Sequence, residues 1–232
     1  MSPHESMIRR SVWYSGADPA RLAEYVPTGA VTYMIPSRNR RELPGPDSRP
    51  AEEKAQAIFE LMVKLGIRYV LEPADSQPGA QFVRPVEEVF RASGQGTCLD
   101  LCVAFSSAAL DAGLHPMILT VTKSDKDCHS IVLIPLHRMW SASGRPEPVA
   151  DSEVVHEPFL LDDMPLKAMV YRTATGSGEL LAIDVQQASR KPDGTPFGDW
   201  ESAVSRGADF LTGETGWDWD VCVDIGALRG TM

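Results

Sequence analysis

Gly94-Gln95-Gly96-Thr97-Cys98-Leu99-Asp100-Leu101 opens the stretch of this chain on which the reading of the rest depends. Two glycines make a flexible approach. Residues 98–112 are then apolar on nearly every helical face, which predicts a buried central helix closed by Gly113. Thr97 is placed as N-cap, and Asp100, three residues on, stands where a capping box has its acid. Cys98 therefore falls at the first helical position. Free N–H groups and the positive end of the helix dipole favour a thiolate there, and the thiolate is the attacking form of cysteine. The Cys98 N–H, outside the helical ladder, is also free to hold a developing oxyanion. A small buried residue starting a buried helix fits the same pattern, so a catalytic reading needs partners elsewhere.

The first partner is a base. Of the five histidines, His4 lies in the N-terminal segment, and His115 sits between the helix end and Pro116, where it is expected to cap the helix. His137 and His156 fall in or beside a long Pro- and Ser-rich loop. His129 opens a predicted strand directly after a hairpin loop, where a side chain can project over a neighbouring helix end; the alternative is a core or edge histidine. The second partner is an acid. Asp184 lies inside Leu181-Ala182-Ile183-Asp184-Val185, an otherwise apolar strand. A buried carboxylate is costly unless paired, and an imidazole N–H from an adjacent strand would satisfy it and fix the ring's tautomer.

Outward from these residues the chain divides in two. Residues 1–50 mix short apolar pieces (12–14 and 30–35, both strand-like) with turn formers and end in a polar run, as an N-terminal arm and connector would. Residues 51–232 read as one domain. Its first helix covers 51–65, with Pro50 ahead of it, Glu52 and Glu53 in the first turn and Gly66 beyond. A short extended piece (67–71) and a short helix (85–92) precede the central helix. Residues 117–122 and 129–136 predict one hairpin, and 166–173 with 179–185 a second. An amphipathic helix (200–211) and a strand (219–225) end the pattern. A helical half followed by antiparallel strands is the α+β signature.

Composition removes several classes of function. With 22 Lys and Arg against 32 Asp and Glu, the net charge of −10 argues against nucleic acid as a partner. No apolar run approaches the roughly 20 residues that span a bilayer, and no apolar stretch follows Arg9 and Arg10 as in a secretory signal. A cytoplasmic location without membrane attachment is expected. Four cysteines in 232 residues make no disulfide framework. Cys98, Cys102, Cys128 and His129 could be imagined as zinc ligands. Adjacent strand residues point to opposite faces, however, so Cys128 and His129 would rarely share an ion. Neither a metal nor a cofactor is expected, and Cys102 and Cys222 read as core.

Taken together, Gly96-Thr97-Cys98-Leu99-Asp100-Leu101, Gly113-Leu114-His115-Pro116-Met117, Cys128-His129-Ser130-Ile131-Val132 and Ala182-Ile183-Asp184-Val185 resemble the bacterial transglutaminase-like domains of the papain-like cysteine-enzyme superfamily. The upstream Gly66-Ile67-Arg68-Tyr69 and Gln81-Phe82-Val83-Arg84-Pro85 are similar too, as is the tail with Ala203, Gly207 and Val223-Asp224-Ile225. The resemblance implies a central helix packed on an antiparallel sheet, with Cys98 as nucleophile, His129 as general base and acid, and Asp184 orienting His129. It also makes Gln81 the candidate side-chain donor to the oxyanion, with Gln95 the other choice. The chain departs from the family in having Cys128 where Gly often precedes the histidine, and Leu99 where many transglutaminases have Trp. Hydrolysis of a protein or peptide amide is therefore expected over cross-linking. A catalytically silent interaction module of the same fold is the alternative from another class.

Overall fold

The computed structural model describes residues 11–14, 18–29, 34–35, 39–46, 49–71, 80–91, 94–124, 127–136 and 178–229. In chain order the elements are β1 (Ser11–Tyr14), α1 (Ala51–Leu65), β2 (Arg68–Tyr69), β3 (Ala80–Val83), α2 (Val86–Phe90), β4 (Gln95–Gly96), α3 (Cys98–Asp111), β5 (Met117–Ser124), β6 (Asp127–Pro135), β7 (Leu180–Ile183), α4 (Trp200–Thr212), β8 (Asp218–Val223) and α5 (Ile225–Arg229). Three 3-10 turns, Pro19–Tyr25, Arg40–Glu42 and Val185–Ala188, lie between them. The arrangement is α+β, with helices ahead of an antiparallel sheet in the order β7-β6-β5-β8. No helix among the described residues is long and apolar enough to cross a membrane.

The sheet takes its place from period-two patterning. Ile118, Val132, Ile134, Leu181, Ile183 and Val223 join the main core with α1 and α3, whereas Leu119, Val121, Ile131, Leu133, Ala182 and Cys222 join a second cluster with Phe210 and Leu211 of α4. Both faces are therefore covered. α3 is buried throughout Cys98 to Leu110 and lies against β6. Its C-terminus turns at Gly113 (φ 70°), where the Leu114 N–H donates to Ala109 at 2.8 Å. Lys54 of α1, 3% exposed, reaches the same end and donates to the carbonyls of Pro46 and Ala112, the latter at 2.9 Å. A cation on the last carbonyls of a buried helix meets the negative end of its dipole.

Several boundaries differ from the sequence reading. β6 opens at Asp127, two residues before His129; Lys123, Asp127 and Cys128 are exposed, so this end of the hairpin carries polar residues that read as loop. Asp184 does not lie within a strand: β7 ends at Ile183, and Asp184 N-caps the Val185–Ala188 turn by accepting from the Gln186 N–H at 3.3 Å. The last strand stops at Val223, and Ile225 begins α5 instead. Trp13, Leu22, Val26 and Ile35, from the segment read as an arm, are buried in the main cluster. The long loop, the strand expected over 166–173, and His4, His137 and His156 lie outside the described residues.

Candidate active site

The N-terminus of α3 is built by reciprocal bonds. The Thr97 side chain accepts from the Asp100 N–H (3.3 Å), while Asp100 Oδ2 accepts from the Thr97 N–H (2.9 Å) and hydroxyl (3.1 Å). Asp100 is fully buried, and its carboxylate also takes the Arg84 N–H at 2.7 Å and the Arg84 guanidinium. Arg84 directly follows β3, so this ion pair fastens β3 to the start of α3. Cys98 is held at the first helical position and is 8% exposed.

His129 approaches from β6, opposite Val121 of β5. Its Nε2 lies 3.0 Å from Asp184 Oδ1, and the Cys98 side chain is near enough to act on the same ring. Nε2 thus carries its proton toward the carboxylate, and Nδ1 is the nitrogen left for another partner. Burial works against the imidazolium, but Asp184 and Cys98 outweigh it and push the His129 pKa up to about 10. Burial likewise works against the Asp184 carboxylate, and His129, Arg206 and Gln187 together hold its pKa below the usual range. Gln187 Nε2 donates to Oδ2 at 2.8 Å and Arg206 Nε to the same oxygen at 3.0 Å.

An aromatic wall lines the imidazole. Phe210 of α4 lies 4.6 Å from it between ring centroids, and Trp217 lies 6.2 Å from it and 5.8 Å from Phe210. Trp219, in the same acidic and aromatic tail segment, donates Nε1–H to the Leu211 carbonyl at 3.1 Å.

The structure hydrogen-bonds His129 to Asp184 and brings Cys98 close to the same imidazole. It puts Gln81 half-buried on β3, three residues before Arg84, and Gln95 exposed on β4. Cys128 is exposed while His129 is buried. Among the described residues, no three His, Cys, Asp or Glu side chains are grouped to hold a metal ion. His115 does not cap α3. It lies past the Gly113 turn, its Nε2 meets Asp224 Oδ1 at 2.6 Å, and Gly226 packs so close that a Cβ there would fall 2.5 Å from the ring. This second histidine–carboxylate pair ties α5 to the α3–β5 loop.

Arg206, Gln187, Phe210 and Trp217 were not legible as site residues. Gln187 is three residues past Asp184, a spacing that a capped turn makes adjacent, but the sequence reading carries the strand through Asp184 to Val185 and assigns no turn there. The other three come from the tail, and only the packing of α4 on β7 delivers them. Compared with protein-family models, with curated proteins and with solved structures, the chain matches none.

Proposed function

We propose that this protein is a cysteine-dependent hydrolase of protein or peptide amides, with a papain-like, transglutaminase-like core. The observation that carries the reading is the buried line from the Cys98 thiol at a helix N-terminus, through His129, to the carboxylate of Asp184. A purely structural histidine needs one partner for its N–H. This one has an acceptor on Nε2 and a thiol close to the same ring, which suits acyl transfer. In the proposed cycle, His129 Nδ1 takes the thiol proton and the thiolate attacks the carbonyl carbon. The Cys98 N–H and a second donor, for which Gln81 is the candidate, bond the oxyanion. The imidazolium gives its proton to the leaving amine, leaving a thioester on Cys98. A water activated by His129 then releases the acid and the free thiol. All four cysteines are unpaired, which suits a reducing, cytoplasmic setting.

Protein cross-linking is the second reading, and Phe210 and Trp217 beside His129 favour it. The sequence gives Cys98 only Thr97 and Leu99 as neighbours, yet the fold supplies the aromatic surface that an amine-bearing stem needs. One experiment tests both. Glutamine-containing peptide libraries are incubated with a labelled primary amine and either the protein or its Cys98→Ala variant. Cys98-dependent cleavage or deamidation without label supports the hydrolase, and Cys98-dependent label incorporation supports transfer. Absence of all three products leaves the interaction module as the reading.

A further inference from the structure

We infer that Arg206 is a positioning residue of this site: it keeps Asp184 ionised as the partner of His129 throughout turnover, and so determines how far into acid the Cys98–His129 pair survives. The inference rests on the reading of Cys98, His129 and Asp184 as a nucleophilic triad.

The groups form a row: the Cys98 sulfur, the His129 imidazole, the Asp184 carboxylate and the Arg206 guanidinium. Asp184 is fully buried, and its two oxygens are divided, Oδ1 facing His129 Nε2 and Oδ2 facing Arg206 Nε at 3.0 Å. Arg206 therefore supports the carboxylate without displacing the histidine. Of the charged and titratable groups that bear on Asp184, β6 gives His129, α3 gives the buried Cys102 thiol and Cys98 through His129, and α4 gives Arg206; the turn after β7 gives only the neutral Gln186 N–H and Gln187 amide.

The two cations differ in permanence. His129 must lose its proton whenever it protonates a leaving amine, and a buried carboxylate beside a neutral imidazole is poorly compensated. The guanidinium keeps its charge at every pH the protein meets. Arg206 thus supplies compensation in the half of the cycle when His129 cannot.

Its placement is not loose. The guanidinium carbon lies 5.7 Å from the centroid of Phe210, whose ring also packs against His129. Phe210 is thereby shared between the two cations. The backbone of α4 is fixed beside Asp184 as well, because the Asp184 N–H donates to the Ala203 carbonyl at 3.0 Å. The Arg206 side chain is nevertheless 53% exposed, so it is not needed to fill the core.

The test needs no natural substrate. Alkylation of Cys98 by iodoacetamide, mapped by mass spectrometry from pH 4 to 8, reads the thiolate–imidazolium pair directly. Once Asp184 takes a proton, the imidazolium loses its counter-charge and the sulfur takes a proton from solvent, leaving the unreactive thiol. Arg206→Met should move the acid limb upward by about one pH unit, which slows labelling about twofold or more at pH 4 and leaves it little changed at pH 7.5. Arg206→Gln, a donor without charge, should follow it. Arg206→Lys should restore most of the wild-type profile. Superimposed profiles for wild type and Arg206→Met, or an Arg206→Lys profile displaced as far as that of Arg206→Met, would overturn the assignment while leaving the triad intact. A wild-type Cys98 that labels no faster than Cys128 would instead remove the triad reading and the inference with it.

Discussion

The four thiols of this protein differ both in exposure and in what surrounds each sulfur. Burial pushes the Cys102 and Cys222 thiols up, and burial with the nearby Asp220 carboxylate raises the surface thiol of Cys128. Cys98 has the helix N-terminus and the His129 imidazole instead. At pH 7, iodoacetamide should therefore label Cys98 about tenfold or more faster than Cys128, because only a thiolate reacts, with Cys102 and Cys222 untouched in the folded protein. Site-resolved labelling rates check this, and faster labelling of Cys128 contradicts it. Asp184→Asn is the companion change. The amide can present N–H to His129 Nε2, which reverses the tautomer that Nδ1 chemistry requires. In the serine-protease triad the equivalent change costs about 10⁴ in turnover, and a loss of about 10² or more is expected here on any peptide that Cys98→Ala fails to turn over. Full activity in Asp184→Asn would assign the orienting role elsewhere. Cys98, His129 and Asp184 were legible because each breaks its local pattern: a thiol after two glycines, an imidazole at a hairpin end, a carboxylate in an apolar run. Arg206 and Trp217 break no pattern in their own segments, so nothing local marks them.

Between elements, two contacts decide whether the line of three residues can form. Asp100 joins the Thr97 cap to Arg84 after β3, and all three residues are buried. Asp100→Ala leaves the Arg84 guanidinium without its counter-charge, and removal of one partner of a buried pair costs about 3–5 kcal/mol. Chemical denaturation should show that loss, and a drop under 1 kcal/mol would mean that Arg84 finds another acceptor. Asp100 is thus a fold residue whose activity defect should follow stability, in contrast to Asp184. The second contact is α4 on β7. Gly207 lies where a Cβ would be 2.4 Å from the Ala182 carbonyl oxygen, so α4 and β7 are in backbone contact, which brings Arg206 and Phe210 to the site. Gly207→Ala must push the two apart, at about 1–3 kcal/mol. It should also slow Cys98 alkylation, since Arg206 and Phe210 move with the helix; unchanged melting and labelling would show that α4 accommodates the methyl. Helical period exposed α1, α3 and α4 in the sequence to within a residue or so. The Arg84–Asp100 pair spans 16 residues of chain, and no periodicity reports a contact at that range. The Val221 to Ile225 run shows the opposite failure: a stretch apolar but for Asp224 reads as strand, yet Asp224 bonds His115 and the chain turns into α5.

For the molecule as a whole, the same buried line couples stability to pH with opposite signs at its two ends. His129 is the first case. Its folded pKa is raised, against the opposition of burial, by Asp184 and Cys98, from 6.5 to about 10. The fold therefore binds this proton more tightly than the unfolded chain does, and the stabilisation is fully present below about pH 6.5 and lost as pH rises toward about 10. Asp184 is the second. Burial would raise its pKa, but His129, Arg206 and Gln187 lower it below 3.8, so its contribution is present above that value and lost as pH falls through the folded one. Each limb needs its own control, because the chain carries a net charge of −10 and other groups titrate at both extremes. Replacing His129 by Gln removes the alkaline contribution while keeping a donor for Asp184. From pH 7 to 10 the melting temperature of the wild type should fall by several degrees more than that of His129→Gln, and the two curves should converge near pH 10. Parallel curves over that range would mean that folding leaves the His129 proton affinity unchanged. That result would undo the charge coupling in the row from Cys98 to Arg206 on which both the proposed chemistry and the role of Arg206 depend.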